Sequence, residues 1–585
     1  MGAKDAGVPF GGRPWRLMGL AALLAVGSLT PSRVRAQEDL SFDLPLFGRT
    51  TFTLTNTSIL RFRGSNYDPN LFDDDFGSLY ERLDVALQGE QVRLETRLDT
   101  FIPHTVFLDN RCAGEPLGDQ DPRCYIRPDF RPERLVLRWE PDDWTLEAGD
   151  SQIVIGRGLA MSFRKVDLLG VDNALRGGHV RYRGDNFRFG LHGGVANPQN
   201  QDPINLAILQ DPEDYIIGGN VGVTIPGETG IMVGAHAVRV WFQDDETSSY
   251  RDRALEVAGW SVEAPALADG QLALYVEANG MQRHQMLGDE AQTMGGHGVY
   301  GSVQLQLTNL TLLAEWKDYT NFLVATSITE ANPWRIYNAS PAVEFDGPQR
   351  LRGIGNQRGG GLRMDYAFLP GPWSFSVNSV AYAFNEEASS DPWQDGIFVS
   401  HSWVTLAKRQ EYGGDINWSL DFNFGSRFEV LMHDVTRPDS SIVDAGSLDR
   451  WMIHGRADLT IGSGDHSFDF VVDHRHEREL IGGELHEFQV GGASVTYTFG
   501  VPLALTLSLR WTDFQQGVVD RRQDRDYNFL GGAFYPSFEG RWAFDPGTYV
   551  AIFVGQTPGG QLCSGGVCRD VPTFEGFRLE FVARL

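Results

Sequence analysis

Along most of the chain, apolar and polar residues alternate with a period of two. In "LALTLSLRWT", Leu503, Leu505, Leu507, Leu509 and Trp511 share one face, and Ala504, Thr506, Ser508, Arg510 and Thr512 share the other. "VRLETRLD" sets Val92, Leu94 and Leu98 against Arg93, Glu95, Arg97 and Asp99. "WMIHGRADLTI" sets Trp451, Ile453, Leu459 and Ile461 against His454, Arg456, Asp458 and Thr460. Successive side chains of a strand point to opposite faces, so each segment reads as a strand with one greasy and one charged side. The links between strands switch regularly between short and long. Short ones are "PDD" at 141–143, "GD" at 184–185, "PGET" at 226–229, "LPGP" at 369–372, "GSGD" at 462–465, "GVP" at 500–502 and "DPG" at 545–547. Long ones fall near 63–78, 102–132, 196–214, 242–252, 281–295, 321–357, 385–408, 435–449, 515–526 and 556–572.

A membrane barrel produces this rhythm, because one rim carries tight turns and the other extended loops. The first strand, near 51–62, precedes a long link, and the last, 574–584, follows one. Both ends of the barrel therefore fall on the short-turn rim. Aromatic rings gather at the short turns, as an interfacial girdle requires: Trp139 and Trp144 at "EPDD", Phe368 and Trp373 at "LPGP", and Trp542, Phe544 and Tyr549 at "DPGT". The pattern predicts an all-β fold, a single large antiparallel transmembrane β-barrel of about 22–26 strands with short periplasmic turns and long extracellular loops. A six-bladed propeller of similar strand number would repeat every ~40–50 residues, and no such repeat is visible.

The N-terminus adds export. Lys4, Arg13 and Arg16 precede the apolar run "LMGLAALLAVGSLT", and "VRA" at 34–36 offers small-residue cleavage before Gln37. The expected organisation is a secretory signal peptide at 1–36, a short periplasmic segment at 37–50 and the barrel at 51–585. Only "QEDLSFDLPLFGRT" then precedes the first strand, which leaves no room for the plug of a TonB-dependent receptor or the extra domains of an usher. The formal net charge is −27, and loss of Lys4, Arg13, Arg16, Arg33 and Arg35 with Asp5 makes it more negative still. That balance argues against nucleic acid as a partner. All four cysteines sit in Gly/Asp/Pro-rich stretches, Cys112 with Cys124 and Cys563 with Cys568. In an exported chain, two local disulfides are the expected reading.

One stretch breaks the alternation. "IVIGRGLAMSFRKVDLLGVDNALRGG", 153–178, carries Arg157, Arg164, Lys165 and Arg176 in an acidic chain. Leu159, Phe163, Val166 and Leu169 fall on one side of a helical wheel, with Arg164 and Lys165 opposite, so a turn or short helix is expected here. A wide barrel without a plug leaks unless loops fold inward. Arg157, Arg164, Lys165 and Arg176, opposed by Asp167 and Asp172, are the candidates for a charged constriction; a solvated external loop is the plainer alternative. The lumen-facing rows are expected to hold Arg93, Glu95, Arg97, Arg138, Arg427, Glu429, Arg456, Asp458, Arg510, Arg578 and Glu580, and cross-strand ion pairing that stiffens the wall is their simplest role.

The final strand, "FRLEFVARL", resembles the terminal assembly signal of bacterial outer-membrane proteins, with Phe577, Leu579, Phe581, Ala583 and Leu585 in one outward register. Leu585 departs from the aromatic residue that usually ends it. The resemblance implies insertion into outer-membrane lipid by the barrel-insertion machinery. By architecture the mature chain resembles large porin-like barrels, and "RGLAMSFRKVDLLGVDNALRGG" is similar to an uncharacterised porin-like family. The function this implies is passive diffusion of small polar or charged solutes, the alternative being a receptor, adhesin or assembly scaffold with an occluded lumen. Chemistry is not expected. "DHRHERE" brings Asp473, His474, His476 and Glu477 together, and "LFDDDFG" brings Asp73 to Asp75, but neither has the ligand spacing of a dedicated metal site. No nucleophile elbow, phosphate loop or zinc-protease helix is present, so neither an enzyme nor a cofactor is expected.

Overall fold

The computed structural model describes residues 40–44, 47–64, 76–104, 126–166, 171–198, 206, 208, 213–227, 229–243, 250–287, 289–325, 336–339, 341, 355–385, 396–408, 416–432, 435–436, 442–443, 448–481, 484–512, 533–545, 547–564, 567–571 and 573–584. Twenty-four strands close into a single antiparallel barrel. Each barrel strand pairs with the next, from Gly48–Arg63 round to Phe574–Arg584. Those two then pair with each other, from Thr55↔Arg584 to Arg63↔Gly576. Closure leaves no unpaired ladder facing lipid, which is the condition for a sheet to span a bilayer. A short strand, Leu40–Leu44, folds back on Gly48–Arg63 and pairs Leu40 with Phe52. Among the described residues, no helix is long and apolar enough to cross a membrane.

The outward rows follow the alternation. Leu191 is 60% exposed and Leu507 64%, and with exposed Ile217, Val233, Leu362, Phe424, Val472 and Trp542 they form the extensive apolar surface that lipid requires. Trp139, Trp144, Phe368, Trp542 and Phe544 are exposed at the short-turn rim. Lys408 sits there too, its ammonium 3.6 Å from the Trp418 ring centroid, a cation drawn back to the interface. Tyr549 departs from the expected girdle. It faces inward, where its hydroxyl donates to Glu580 at 2.6 Å.

Two expected long loops are strand instead. Leu272–Leu287 and Glu290–Gln306 stay paired up to Leu287↔Glu290, so 281–295 is a tight hairpin. Within 385–408, Ile397–Lys408 is a full strand paired on both edges. "DHRHERE" lies inside strand His466–Ile481. Above the bilayer a strand needs no apolar face, so backbone pairing continues after the alternation has faded.

Strands Tyr215–Thr224, Met232–Trp241 and Tyr250–Leu267 are apolar on both faces for part of their length. Their inward residues Ile216, Val238, Val240, Leu255 and Val257 are buried in the largest apolar cluster of the molecule. Something inside the barrel must cover them.

Candidate functional site

The cover is the 152–173 segment, which connects the adjacent strands Trp144–Ser151 and Ala174–Arg183 at the long-loop rim. Of the expected turn or short helix, the turn forms, at 156–159, and no helix does among the described residues. The segment enters the lumen as a hairpin, Val154–Ile155 paired with Met161–Ser162, then forms a second small pair, Lys165–Val166 with Val171–Asp172. Ile155, Leu159, Met161 and Phe163 are all essentially unexposed against the wall. Leu159 to Phe163 are buried in unbroken succession, so no one-sided helical pattern applies to them.

A charged clamp fixes the tip. Glu277, fully buried on the inner wall, accepts the Arg157 backbone N–H at 2.8 Å and the Tyr275 hydroxyl at 2.6 Å. Gly156 makes this possible. Its φ is +59°, and a Cβ there would overlap the Glu277 carboxylate, so both conformation and space call for glycine. The Arg157 guanidinium lies 4.6 Å above the Tyr275 ring and 3.9 Å from Glu263. The base of the segment is tied by Asp172, which is 3.3 Å from Arg97 and 3.7 Å from Arg134 and accepts from Gln152 at 2.9 Å.

A second loop, between Leu310–Thr320 and Gln357–Ala367, locks onto the first. Ser162 N–H donates to Tyr337 O at 2.7 Å, and Ala339 N–H to Gly158 O at 3.0 Å. Phe163 stacks on Tyr337 at 5.4 Å, and Tyr337 on Phe242 at 6.4 Å. The Tyr337 hydroxyl donates to the buried Asp214, and Arg283 holds the carbonyls of Leu323 and Ala325 at 3.1 Å. From a third loop, Leu206 and Ile208 pack on Phe76, Tyr80 and Phe101.

The remaining inner wall is charged and reached by water. Arg93 pairs with Glu95, Arg456 with Asp458 at 3.0 Å, Arg510 with Asp473 at 2.5 Å and Arg578 with Glu539 at 3.7 Å. Arg456 is 57% exposed, though it points inward.

No family model and no curated protein matches the chain. Among solved structures it is similar to the siderophore receptor PirA from Pseudomonas aeruginosa, at 7% identity and TM-score 0.43 over 91% of this chain and 80% of that one. It is also similar to the copper transporter OprC, at 9% identity and TM-score 0.45 over 91% and 80%, and to a BenF-like porin from Pseudomonas fluorescens Pf-5, at 10% and 0.35 over 71% and 98%. The wall itself decides the matter: a closed sheet with an apolar outside and a wet, charged inside. The chain folds as a closed transmembrane β-barrel.

Within this barrel the expected site residues fall in different places. Arg157 and Lys165 are exposed on the inward segment, and Arg164 is half-buried, its guanidinium pKa pushed down by burial. Asp167 lies outside the described residues. Arg176 is a correction to the constriction. It shares the outer face with Asp150, opposite to the inward Leu175 and His179, and its Nε donates to Asp150 at 2.9 Å. Arg97 is buried with Asp99 and Tyr80, and Arg138 pairs with Glu147 at 2.8 Å. Arg427, Glu429, Arg450, Glu477 and Arg475 form a chain of ion pairs beneath the long-loop rim. Phe577, Leu579 and Phe581 stand in register with Val554, Ile552 and Val550, of which Val554 is exposed outward. Leu585, Cys112, Cys124 and Asp73 to Asp75 lie outside the described residues. The backbone sets Cys563 opposite Cys568 in the hairpin of Gly560–Ser564 and Val567–Val571. His474 and His476 face outward, stacked on Trp511 at 6.3 Å and edge-on to Trp451 at 5.8 Å. The sequence reading missed Glu277, Arg181, Arg183 and Arg188. The last three flank the "GD" turn: Arg181 and Arg183 are two apart on one strand, and Arg188 stands directly opposite Arg183 on the next, which puts all three on one face.

Proposed function

We propose that this barrel is a passive channel for small polar or charged solutes, narrowed on one side by the 152–173 and 321–357 loops. The observation that carries the reading is the solvent exposure of inward side chains, Arg93, Arg456, Arg510 and Arg578, on the wall the two loops leave bare. A 24-stranded wall encloses more than a few inward loops can fill, since barrels of about 16–18 strands already hold water. Arg157, Arg164 and Lys165 bring positive charge to the narrowed side, and Asp167 is their proposed counter-charge. Cation rings of this kind favour anion passage. Cys563 and Cys568, opposed in their hairpin, are proposed to clip the last long loop to itself.

The test is conductance of the purified, refolded barrel in planar bilayers. Stepwise openings, with a reversal potential that moves toward cation preference in Arg164→Glu/Lys165→Glu, are expected. A correctly folded protein that inserts and never opens would overturn the pore in favour of an occluded receptor or scaffold.

A further inference from the structure

Beneath the tip of the 152–173 segment, toward the short-turn rim, lies a cavity of about 390 Å³. Four arginines line it, Arg157 from the loop tip and Arg181, Arg183 and Arg188 from the wall, with Glu263 as the one lining carboxylate. Their placement is costly. Arg183 and Arg188 are directly opposite each other in register on neighbouring strands, and like charges so placed repel. Among the described residues, neither has a carboxylate within ion-pairing distance. The wall is hollowed to admit them: Gly222 faces Arg188, and a Cβ added there would stand 2.7 Å from the Arg188 Nε. Arg181 is oriented by a hydrogen bond of 3.1 Å to the Thr145 hydroxyl. Other polar side chains, among them Asn220, His236, Ser261 and Tyr275, complete the lining.

Four guanidiniums converging on a solute-sized cavity with one counter-charge lack their own compensation. From this we infer that the cavity is a binding site for small organic anions carrying two or more negative charges, with carboxylates or a phosphate as the recognised group. A bound anion cancels the Arg183–Arg188 repulsion and takes planar, two-point hydrogen bonds from each. Arg157 belongs to the loop and the others to the wall, so the site is complete only while Glu277 holds the tip down. The inference rests on the channel reading for its route of access and supplies it with a substrate class.

Calorimetric titration of the folded barrel in detergent tests it, with citrate as the anion and glucose as the neutral probe. Citrate binds and glucose does not. Arg183→Gln/Arg188→Gln weakens citrate at least roughly tenfold, as loss of two charge-assisted contacts requires. Arg478→Gln, on the outer face, leaves it unchanged. Equal citrate affinity in the double variant and the wild type overturns the site, as does an equal loss in Arg478→Gln. Heat-modified gel mobility reports folding. Should the double variant not fold, arginine modification of the wild type by phenylglyoxal decides: citrate protects Arg183 and Arg188 but not Arg456, and uniform protection or none overturns the site. Conductance is read separately. Citrate binding in a protein that never conducts removes the channel and keeps the site, and conduction without citrate binding does the reverse.

Discussion

Replacing Gly156 by valine is expected to lift the tip of the 152–173 segment off the wall and widen the pore. The left-handed φ of +59° costs an L-residue about 1–2 kcal/mol. The new side chain also collides with the Glu277 carboxylate, so the Arg157 N–H···Glu277 bond of 2.8 Å is lost, and a hydrogen bond to a charged acceptor contributes about 1.5–3 kcal/mol. Together these shift the docked state by about 2.5–5 kcal/mol, between two and four powers of ten in the equilibrium. Phe163 and Met161, each worth about 1.5–3 kcal/mol of burial, stay pinned against Tyr337 and the wall. The release is therefore local to the tip. Single-channel conductance and the size limit for sugars in a liposome-swelling assay should both rise. In a Glu277→Ala background, where collision and bond are already gone, the further effect of Gly156→Val should shrink to the backbone part. A folded Gly156→Val barrel with wild-type conductance and size limit would refute the docking argument.

Other outcomes follow from the same geometry. Phe163→Ala empties a fully buried site stacked on Tyr337 and should cost about 3–5 kcal/mol locally, seen as faster proteolysis of both inward loops with barrel mobility on gels unchanged. Arg97→Ala strands the buried Asp99 and the nearby Asp172 and should lower stability by about 3–5 kcal/mol in urea titration; Asp172→Asn should cost much less. Leu191→Arg puts a charge on the lipid face and should cost about 2–4 kcal/mol if it lies near mid-bilayer, whereas Arg456→Leu on the wet face should change folding stability little. Equal costs for that last pair would mean the faces have been assigned the wrong way round.

The wall was legible because lipid and water impose opposite demands on successive residues, and "LALTLSLRWT" or "VRLETRLD" obey them with no help from the rest of the chain. The loops were not. Ile153 to Phe163 owe their shape to Glu277 and Tyr337, more than a hundred residues away, and no local period encodes such partners. For the same reason, inward positions at Ile216, Val238 and Leu255 are apolar, which blurred the two-sided pattern in those strands. Arg176 misled because its counter-charge, Asp150, sits across the outer face and shows only in the register. The short segments around 281–295 misled because alternation ends where the membrane does, while the ladder goes on.

The seam of the barrel has a doorstop. Strand Leu40–Leu44 occupies the same edge of Gly48–Arg63 that the final strand uses, with Leu40 at Phe52 and Arg584 at Thr55. A closing strand that slid toward the short-turn rim by one residue would crowd against it. Such a slip would turn Arg578 and Glu580 toward the acyl chains. The little hairpin thus fixes how far the last strand travels when the cylinder zips shut, and so guards the sidedness of the whole wall.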